Sequence, residues 1–309
     1  MTVSGSKPRV SIGLPVFNGE KFLPDTLDSI LTQTYSDFEL IISDNASTDK
    51  TGQICQDYAA KDQRISYYRN EENIGAAKNY NRVFELSAAE YFKWSAHDDL
   101  CASEFLRRCV ETLDADASAV LCHPRTKIID EHGAAVRDLY TNANLSSPKP
   151  HKRFLASVFS PTPVQVLGVM RANILKKTRL IGNFSSSDRI LAGELALRGR
   201  FCDIPEYLLF YREHAEQSWG TKYPSRHARE AWFDPTRAHK ITFPHWRLLL
   251  EHLSSIRRVP LNWYEKSLCY VYLGRWAIRT RRDLVKNLIL KEHNLPQADP
   301  HKPIPKLSL

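Results

Sequence analysis

Across its first 125 residues the chain alternates short apolar runs with stretches of helical periodicity, and it does so five times. Arg9 to Val16 is an apolar run closed by Pro15 and the turn pair Asn18-Gly19, which predicts a buried strand. Leu23, Leu27, Ile30 and Leu31 then recur at helical spacing, predicting a helix to about Thr34. Leu40 to Ser43 predicts a second strand, and Ser47 or Thr48 is placed to cap a helix running to about Ala60. Ile65 to Tyr68, Tyr91 to Trp94 and Ala119 to His123 predict three more strands. Between them, helices open at Asn73-Ile74-Gly75 and at Ser103, the latter a candidate cap. Strand and helix in alternation with short loops require a parallel sheet covered by helices.

After Thr126 the rhythm changes. Lys127 to Asp130 and Ala134 to Val136, joined through Gly133, read as a hairpin. Asn142 to Pro150 is rich in Ser, Asn and Pro and reads as a mobile loop. Val164 to Met170 is strand-like, and Ser187-Asp188 is placed to cap a helix through Leu197 that ends at Gly199. Phe201 to Ile204 and Tyr207 to Tyr211 read as two strands separated by Pro205. From about Ala228 the pattern is helical and rich in Trp, Tyr and Arg. These patterns divide the chain into an α/β unit over 1–225 (halves 9–125 and 126–225), a basic helical extension over 226–295 and a flexible tail over 296–309.

Composition excludes several classes. With 309 residues, 42% hydrophobic and 25% charged, the chain can bury a core, so wholesale disorder is not a reading of it. No apolar run approaches the ~18 residues of a membrane span. Met1 to Pro8 lacks the apolar centre of a signal peptide. The six cysteines, at 55, 101, 109, 122, 202 and 269, show neither C-x-x-C nor zinc spacing and read as reduced thiols of a cytoplasmic protein. The net charge of +8 is concentrated late in the chain, which fits an anionic partner or solvated helix faces. Tyr270, Val271, Leu273, Trp276 and Leu284 are interleaved there with Arg275, Arg279, Arg281 and Arg282. Such a helix either lies on the cytoplasmic face of an anionic membrane or packs on the α/β unit with its basic side in water.

The acids sit where the predicted sheet would use them. Asp44 ends the run Phe38 to Ser43, and Asp98-Asp99 follow Tyr91 to Ala96. Open α/β sheets bind ligands outside the carboxyl ends of their strands. Hard oxygen donors at that edge suit a divalent ion carrying phosphates, hence a nucleoside diphosphate substrate. On residue type alone, Asp44 also fits an Asx turn, and Asp98-Asp99 and Asp188 also fit helix caps.

Four segments, in order, carry a resemblance. Val10 to Glu20, Glu39 to Asp49, Asn73-Ile74-Gly75 with Asn79, and Asp98-Asp99 resemble the signatures of the inverting nucleotide-sugar glycosyltransferases of family 2. The resemblance spans roughly residues 9 to 220. It implies the glycosyltransferase A fold: an α/β, Rossmann-like mixed, mainly parallel sheet flanked by helices, here with a C-terminal helical extension. It departs at Ala96, where the family often has an acid. It implies a metal-dependent inverting transfer of a sugar from a nucleotide-diphosphate donor, UDP-type favoured, to a glycan or lipid-linked acceptor, as in cell-surface polysaccharide or glycolipid assembly.

Residue by residue, the resemblance assigns the nucleotide site to Pro15, Val16, Phe17, Asn18, Glu20, Asp44, Asn45, Gly75, Lys78, Asn79, His97 and Asp98. Asp44 would accept a hydrogen bond from the base. Asp98 would bind Mn2+ or Mg2+, Asp99 the metal or sugar hydroxyls, and His214 would be a third metal ligand, or else a surface histidine. Arg212 is a candidate phosphate ligand. Asp188 would be the base for the acceptor hydroxyl, kept ionised by its helix N-terminus. Two other readings share some features. A sugar-nucleotide pyrophosphorylase uses a similar sheet, but Gly13 and Gly19 do not form the Gly-rich loop of that class. A non-catalytic nucleic-acid-binding or other anionic-polymer-binding protein fits the charge, but no recognition motif for nucleic acid is present and none is expected to bind.

Overall fold

The computed structural model describes residues 7–139, 144–160, 164–215, 226–237, 240 and 242–289. The first half runs β1 (Val10–Val16), α1 (Leu23–Leu31), β2 (Phe38–Asp44), α2 (Thr51–Ala59), β3 (Ile65–Arg69), α3 (Ala76–Glu85) and β4 (Tyr91–Trp94). Next come β5 (Leu100–Cys101), α4 (Phe105–Ala115), β6 (Ala119–Ile129), β7 (Ala135–Leu139), α5 (Pro150–Phe159), β8 (Val169–Arg171) and α6 (Ala172–Leu175). The chain continues through α7 (Ser187–Arg198), β9 (Arg200–Arg212), α8 (Arg226–Phe233), α9 (Pro244–Arg258), α10 (Trp263–Arg279) and α11 (Arg281–Ile289).

The strands form one mixed sheet in the order β3-β2-β1-β4-β8-β6-β9-β5, with β7 added alongside β6. The long ladders are parallel: β3, β2, β1 and β4 share one direction, and β6 pairs in parallel with β9. The antiparallel ladders, made by β8, β5 and β7, are short. Every residue of β1 is buried, as expected of a parallel strand covered on both faces.

Alternation along β1 explains how the faces are filled. Val10, Ile12, Leu14 and Val16 join Leu23 and Leu27 of α1 and Phe105 of α4 in one core. On the opposite face a second core gathers Ile41, Val83, Phe92, Trp94 and Leu195. Gly13 faces this second core, where an added Cβ would lie 2.6 Å from Val83 Cγ2 and 2.7 Å from Phe92 Cζ. The missing side chain therefore lets α3 lie close on the sheet. A third core joins Phe154 and Val158 of α5 and Ile190 and Leu197 of α7 to Leu248, Ile256, Cys269, Leu273 and Trp276. α9 and α10 thus share a core with α5 and α7.

Several local expectations are corrected. Pro205 does not split the last strand: β9 runs through it, and the ladder jumps from Ile204↔Pro124 to Tyr207↔Arg125, leaving Pro205 and Glu206 as a bulge. Only Val169–Arg171 of the segment from Val164 is strand, preceded by a single 3-10 turn. Ser47 and Ser103 cap nothing: α2 and α4 start after Lys50 and Glu104, without a side-chain bond at either cap. The predicted mobile loop is packed where it is described, with Leu145 and Ser147 buried and Leu145 O accepting from Phe201 N at 3.0 Å. Residues 142 and 143 and the predicted tail lie outside the described residues. Among the described residues, no helix is long and apolar enough to cross a membrane.

Candidate active site

Because β1, β2, β3 and β4 are parallel, their carboxyl ends share one edge of the sheet. Pro15-Val16-Phe17-Asn18, Asp44-Asn45, Arg69-Asn70 and Ser95 to Asp99 therefore converge. The first two loops are tied to each other. Asn18 N donates to Ser47 Oγ (2.9 Å), Thr48 N donates to Asn18 Oδ1 (2.8 Å) and Lys50 N donates to Glu20 Oε2 (2.9 Å). Asn18 and Ala46 hold positive φ of 52° and 61°, a costly backbone for non-glycine residues and one that clusters at functional sites. The side chains of Asn18 and Glu20 are thus spent on loop architecture, and what this loop offers a ligand is backbone.

Asp44 is fully enclosed. Its carboxylate accepts from Ser47 N (2.8 Å), Tyr67 Oη (2.9 Å) and the Arg69 guanidinium (2.6 Å). A base reaching this carboxylate must displace Arg69, whose side chain is 47% exposed. Asn45 Oδ1 accepts from Asn70 Nδ2 and Ile74 N, which places the Asn73-Ile74-Gly75 turn beside the end of β2. Gly75 has φ 85°, and a Cβ there would stand 2.7 Å from Phe233 O, so only glycine fits beneath α8. Asn79 is buried. Its Oδ1 accepts from Ser43 Oγ (2.7 Å) and Asn70 Nδ2 (3.1 Å), and its Nδ2 donates to Ser43 O (2.8 Å). Lys78 is exposed.

The acid pair is built from three elements. Thr26 Oγ1 of α1 donates to His97 O (2.9 Å) and Asp99 O (3.0 Å), fixing the loop after β4. His97 packs over Gly19, where a Cβ would come within 2.6 Å of its ring. β5 pairs with β9, bringing the end of β9 against the pair. Arg212 N donates to Asp99 Oδ1 (3.0 Å), and the buried Arg212 guanidinium donates to Asp98 O (2.9 Å), Glu131 O (3.0 Å) and Asp25 Oδ2 (3.3 Å) while stacking on Phe22 at 4.8 Å. Arg212 is therefore the clamp of the acidic loop, not the phosphate ligand its residue type suggested. Nothing local could have revealed this, since its acceptors lie between 81 and 187 residues away.

The last residues of the site complete the cluster. His214 Nε2 lies 3.0 Å from Asp98 Oδ2, and its ring packs on Phe22 with centroids 4.5 Å apart. His214 Nδ1 and Asp99 Oδ2 are buried without a partner. The two acids differ electrostatically. Burial works against ionisation of Asp98, but His97 and His214 outweigh it and hold its carboxyl below the usual range. Burial and the neighbouring Asp98 push Asp99 well above that range. Among the described residues no three His, Cys, Asp or Glu side chains form a closed metal cage. Asp98 and His214 are two adjacent donors, beside an orphaned Asp99 oxygen, and a Mg2+- or Mn2+-type ion completes its shell with phosphates and water. The donor set fits such an ion.

Asp188 opens α7 after Ser186, which holds φ 65°. Burial raises its carboxyl above the ordinary value, against the opposing help of its backbone hydrogen bond to Arg189 and of the Arg189 charge. Burial, with smaller contributions from the charges of Asp98, Asp99 and Asp188, raises the hydroxyl of Tyr80 on α3. Glu194, two turns on, is structural: it is 1% exposed and binds Arg198 (2.7 Å) and Arg258 of α9 (2.6 Å). The described cysteines are all free thiols, and burial raises Cys101 beside the site, which makes it inert.

Comparison with known proteins agrees with this layout. Residues 11–178 match the model of Glycosyl transferase family 2. An uncharacterized glycosyltransferase of Haemophilus influenzae is 24% identical over 217 residues, 68% of this chain and 67% of its own. A Bacillus subtilis chain, TuaG, assigned by its name to teichuronic acid biosynthesis, is 36% identical over 34% of this chain, and the match spans less than half (42%) of that relative. Among solved structures, S. aureus TarS 1-349 with UDP-GlcNAc superposes with a TM-score of 0.64 at 16% identity, covering 91% of this chain and 79% of that one. The mannosyltransferase PcManGT of Pyrobaculum calidifontis, in complex with GDP-Man and Mn2+, gives 0.55 at 16% identity over 92% and 74%. The strand-end acids, the two tied loops and the family match, which covers more than half of the chain, lead to one conclusion: this protein belongs to glycosyl transferase family 2 and is a glycosyltransferase of the A fold.

Proposed function

We propose that the chain transfers a sugar from a nucleoside-diphosphate donor to an acceptor hydroxyl with inversion, assisted by Mn2+ or Mg2+, in the assembly of a surface glycan. The observation that carries this reading is the Asp98–His214 pair, with an orphaned Asp99 oxygen beside it, at the strand edge where the nucleotide loops converge. A divalent ion held by Asp98 and His214 would neutralise charge on the departing diphosphate. Asp99, anchored by Arg212 N, would orient the ion or a sugar hydroxyl. The backbone of Pro15 to Asn18 would frame the base, with Arg69 over Asp44 as the neighbouring polar contact.

Asp188 would accept the proton of the acceptor hydroxyl. A carboxylate made more basic by burial is better matched to that task near neutral pH. As the acceptor oxygen bonds to the anomeric carbon on one face, the bond to the diphosphate breaks on the other, in a single displacement with no covalent enzyme intermediate. The S. aureus and P. calidifontis neighbours, solved with UDP-GlcNAc and with GDP-Man and Mn2+, support a nucleotide-sugar donor and a divalent ion; a UDP donor is favoured. The TuaG relative supports a polysaccharide acceptor.

The test is turnover of UDP- and GDP-sugars to the free nucleoside diphosphate, followed by chromatography with Mn2+ and with EDTA. The proposal expects metal-dependent release from one donor, lost in Asp188→Asn when acceptor is present. Release that ignores EDTA would refute the metal role, and no release from any donor would refute the donor class.

A further inference from the structure

We propose that the outer face of α10 and α11 docks the protein on an anionic lipid surface. The inference is independent of the transferase reading. α10 buries Cys269, Leu273 and Trp276 against α5 and α9, so its packing needs are met on one side. Its opposite side is nevertheless apolar. Trp263 is 79% exposed, Ile278 65% and Val271 56%, with Tyr264 and Tyr270 also exposed. Positions 263, 267, 270, 271, 274 and 278 fall at helical spacing on one stripe, and every one of them is exposed. α11 continues the pattern with exposed Val285 and Leu288. A helix apolar on both faces, with one face uncovered, marks an interaction surface rather than a solvated one.

Charge selects the occupant. Arg257, Arg275, Arg279, Arg281, Arg282 and Lys286 are all exposed. No acid is exposed among the described residues from 242 to 288: Glu251 is buried, and Glu265 and Asp283 are only partly accessible. Glu265 is moreover committed to His151, 2.7 Å away. The stripe is therefore apolar and aromatic with a purely cationic border, the pairing that suits an interfacial helix on acidic headgroups. Trp263 and Tyr264 at the start of α10 are the residue types that settle at the headgroup level. A second copy of the chain would set arginine against arginine across a two-fold contact, which disfavours self-association through this face.

The experiment is co-sedimentation of the full chain with vesicles of phosphatidylcholine and phosphatidylglycerol in equal parts, and with phosphatidylcholine alone, at low and high salt. The expected result is salt-sensitive binding to the anionic vesicles only. Each lysine or arginine near such a surface contributes about fivefold in partitioning, so Arg281→Glu/Arg282→Glu should weaken binding by about 25-fold or more. Val271→Ser/Ile278→Ser should weaken it at both salt concentrations. Both variants sit on exposed positions, and a circular-dichroism spectrum and melting temperature equal to those of the parent chain show that they are folded. Binding to neither vesicle, equal binding to both, or a dimer in analytical ultracentrifugation that the serine variant dissolves would each overturn the proposal.

Discussion

Arg212→Met removes the clamp of the acidic loop while keeping most of the apolar stem over Phe22. In the parent chain the guanidinium satisfies two carbonyls, Asp98 O at 2.9 Å and Glu131 O at 3.0 Å. Both bonds are only partly buried, and Glu131 is exposed enough for water to replace the guanidinium there, so the predicted loss is that of one unpaired acceptor, about 1–3 kcal/mol. The ion pair to Asp25 adds little, because that carboxylate is 62% exposed. Against a total stability of about 5–15 kcal/mol, the variant should fold but melt early. Function should suffer more. A shift of about 1 Å in the Asp98-Asp99 loop is enough for a loss of about 100-fold in turnover. Arg212→Lys should fail almost as badly, since a lysine has no planar fork to span both carbonyls. Urea denaturation gives the stability change and donor turnover gives the kinetic one. A variant within about 0.5 kcal/mol of the parent, the range of an ordinary surface substitution, with full turnover, would refute the clamp.

Asp188→Asn should abolish transfer, by about 100-fold or more for loss of a general base, while leaving nucleotide binding intact by calorimetry. The same substitution should raise the melting temperature at neutral pH. The folded-state pKa of Asp188 is raised, so its contribution to stability is present at low pH and lost as pH rises through that value, where the carboxylate must ionise in place. For the same reason turnover should climb with pH over an acidic limb displaced upward from the ordinary carboxylate range, and a limb at the ordinary value would contradict the burial argument. Glu194→Gln should destabilise by roughly 3–5 kcal/mol, because Arg198 and Arg258 lose their shared partner in a buried network; urea denaturation measures it. Gly13→Ala should destabilise by about 1–3 kcal/mol, since the new methyl overlaps Val83 and Phe92 in the core.

Three of the first four parallel strands, β1, β2 and β4, were legible as runs of mostly buried residues punctuated by turn residues such as Pro15 and Asn18-Gly19, and β3, mostly half-buried or exposed, as the short run Ile65 to Tyr68. Of the antiparallel strands, β7 was legible as the second arm of a hairpin and β8 only as the end of a longer strand-like run, while β5 was missed. β5 and β8 are two and three residues long, too short for their periodicity to fix their bounds. Pro205 reads as a strand break in sequence and is a bulge in space, because β6 offers β9 a parallel partner on both sides of it. The strand-end acids could be located from their sequence position, but not their partners. Asp44 appears free at the end of a run, yet the fold encloses it between Ser47, Tyr67 and Arg69. Asn79 follows a recognisable turn, yet its amide is spent on Ser43. Arg212 and His214 lie two residues apart, and only the β5–β9 pairing decides that one clamps the acidic loop while the other meets Asp98.

The most direct measurement is a calorimetric titration of the purified chain with UDP and with GDP, each in Mn2+ and in EDTA, repeated on Asp98→Ala. The account predicts that one nucleotide binds in Mn2+ and is lost both with EDTA and in the variant. Binding of equal strength in EDTA, or unchanged in Asp98→Ala, would contradict the assignment of Asp98 and His214 to a divalent ion and the diphosphate.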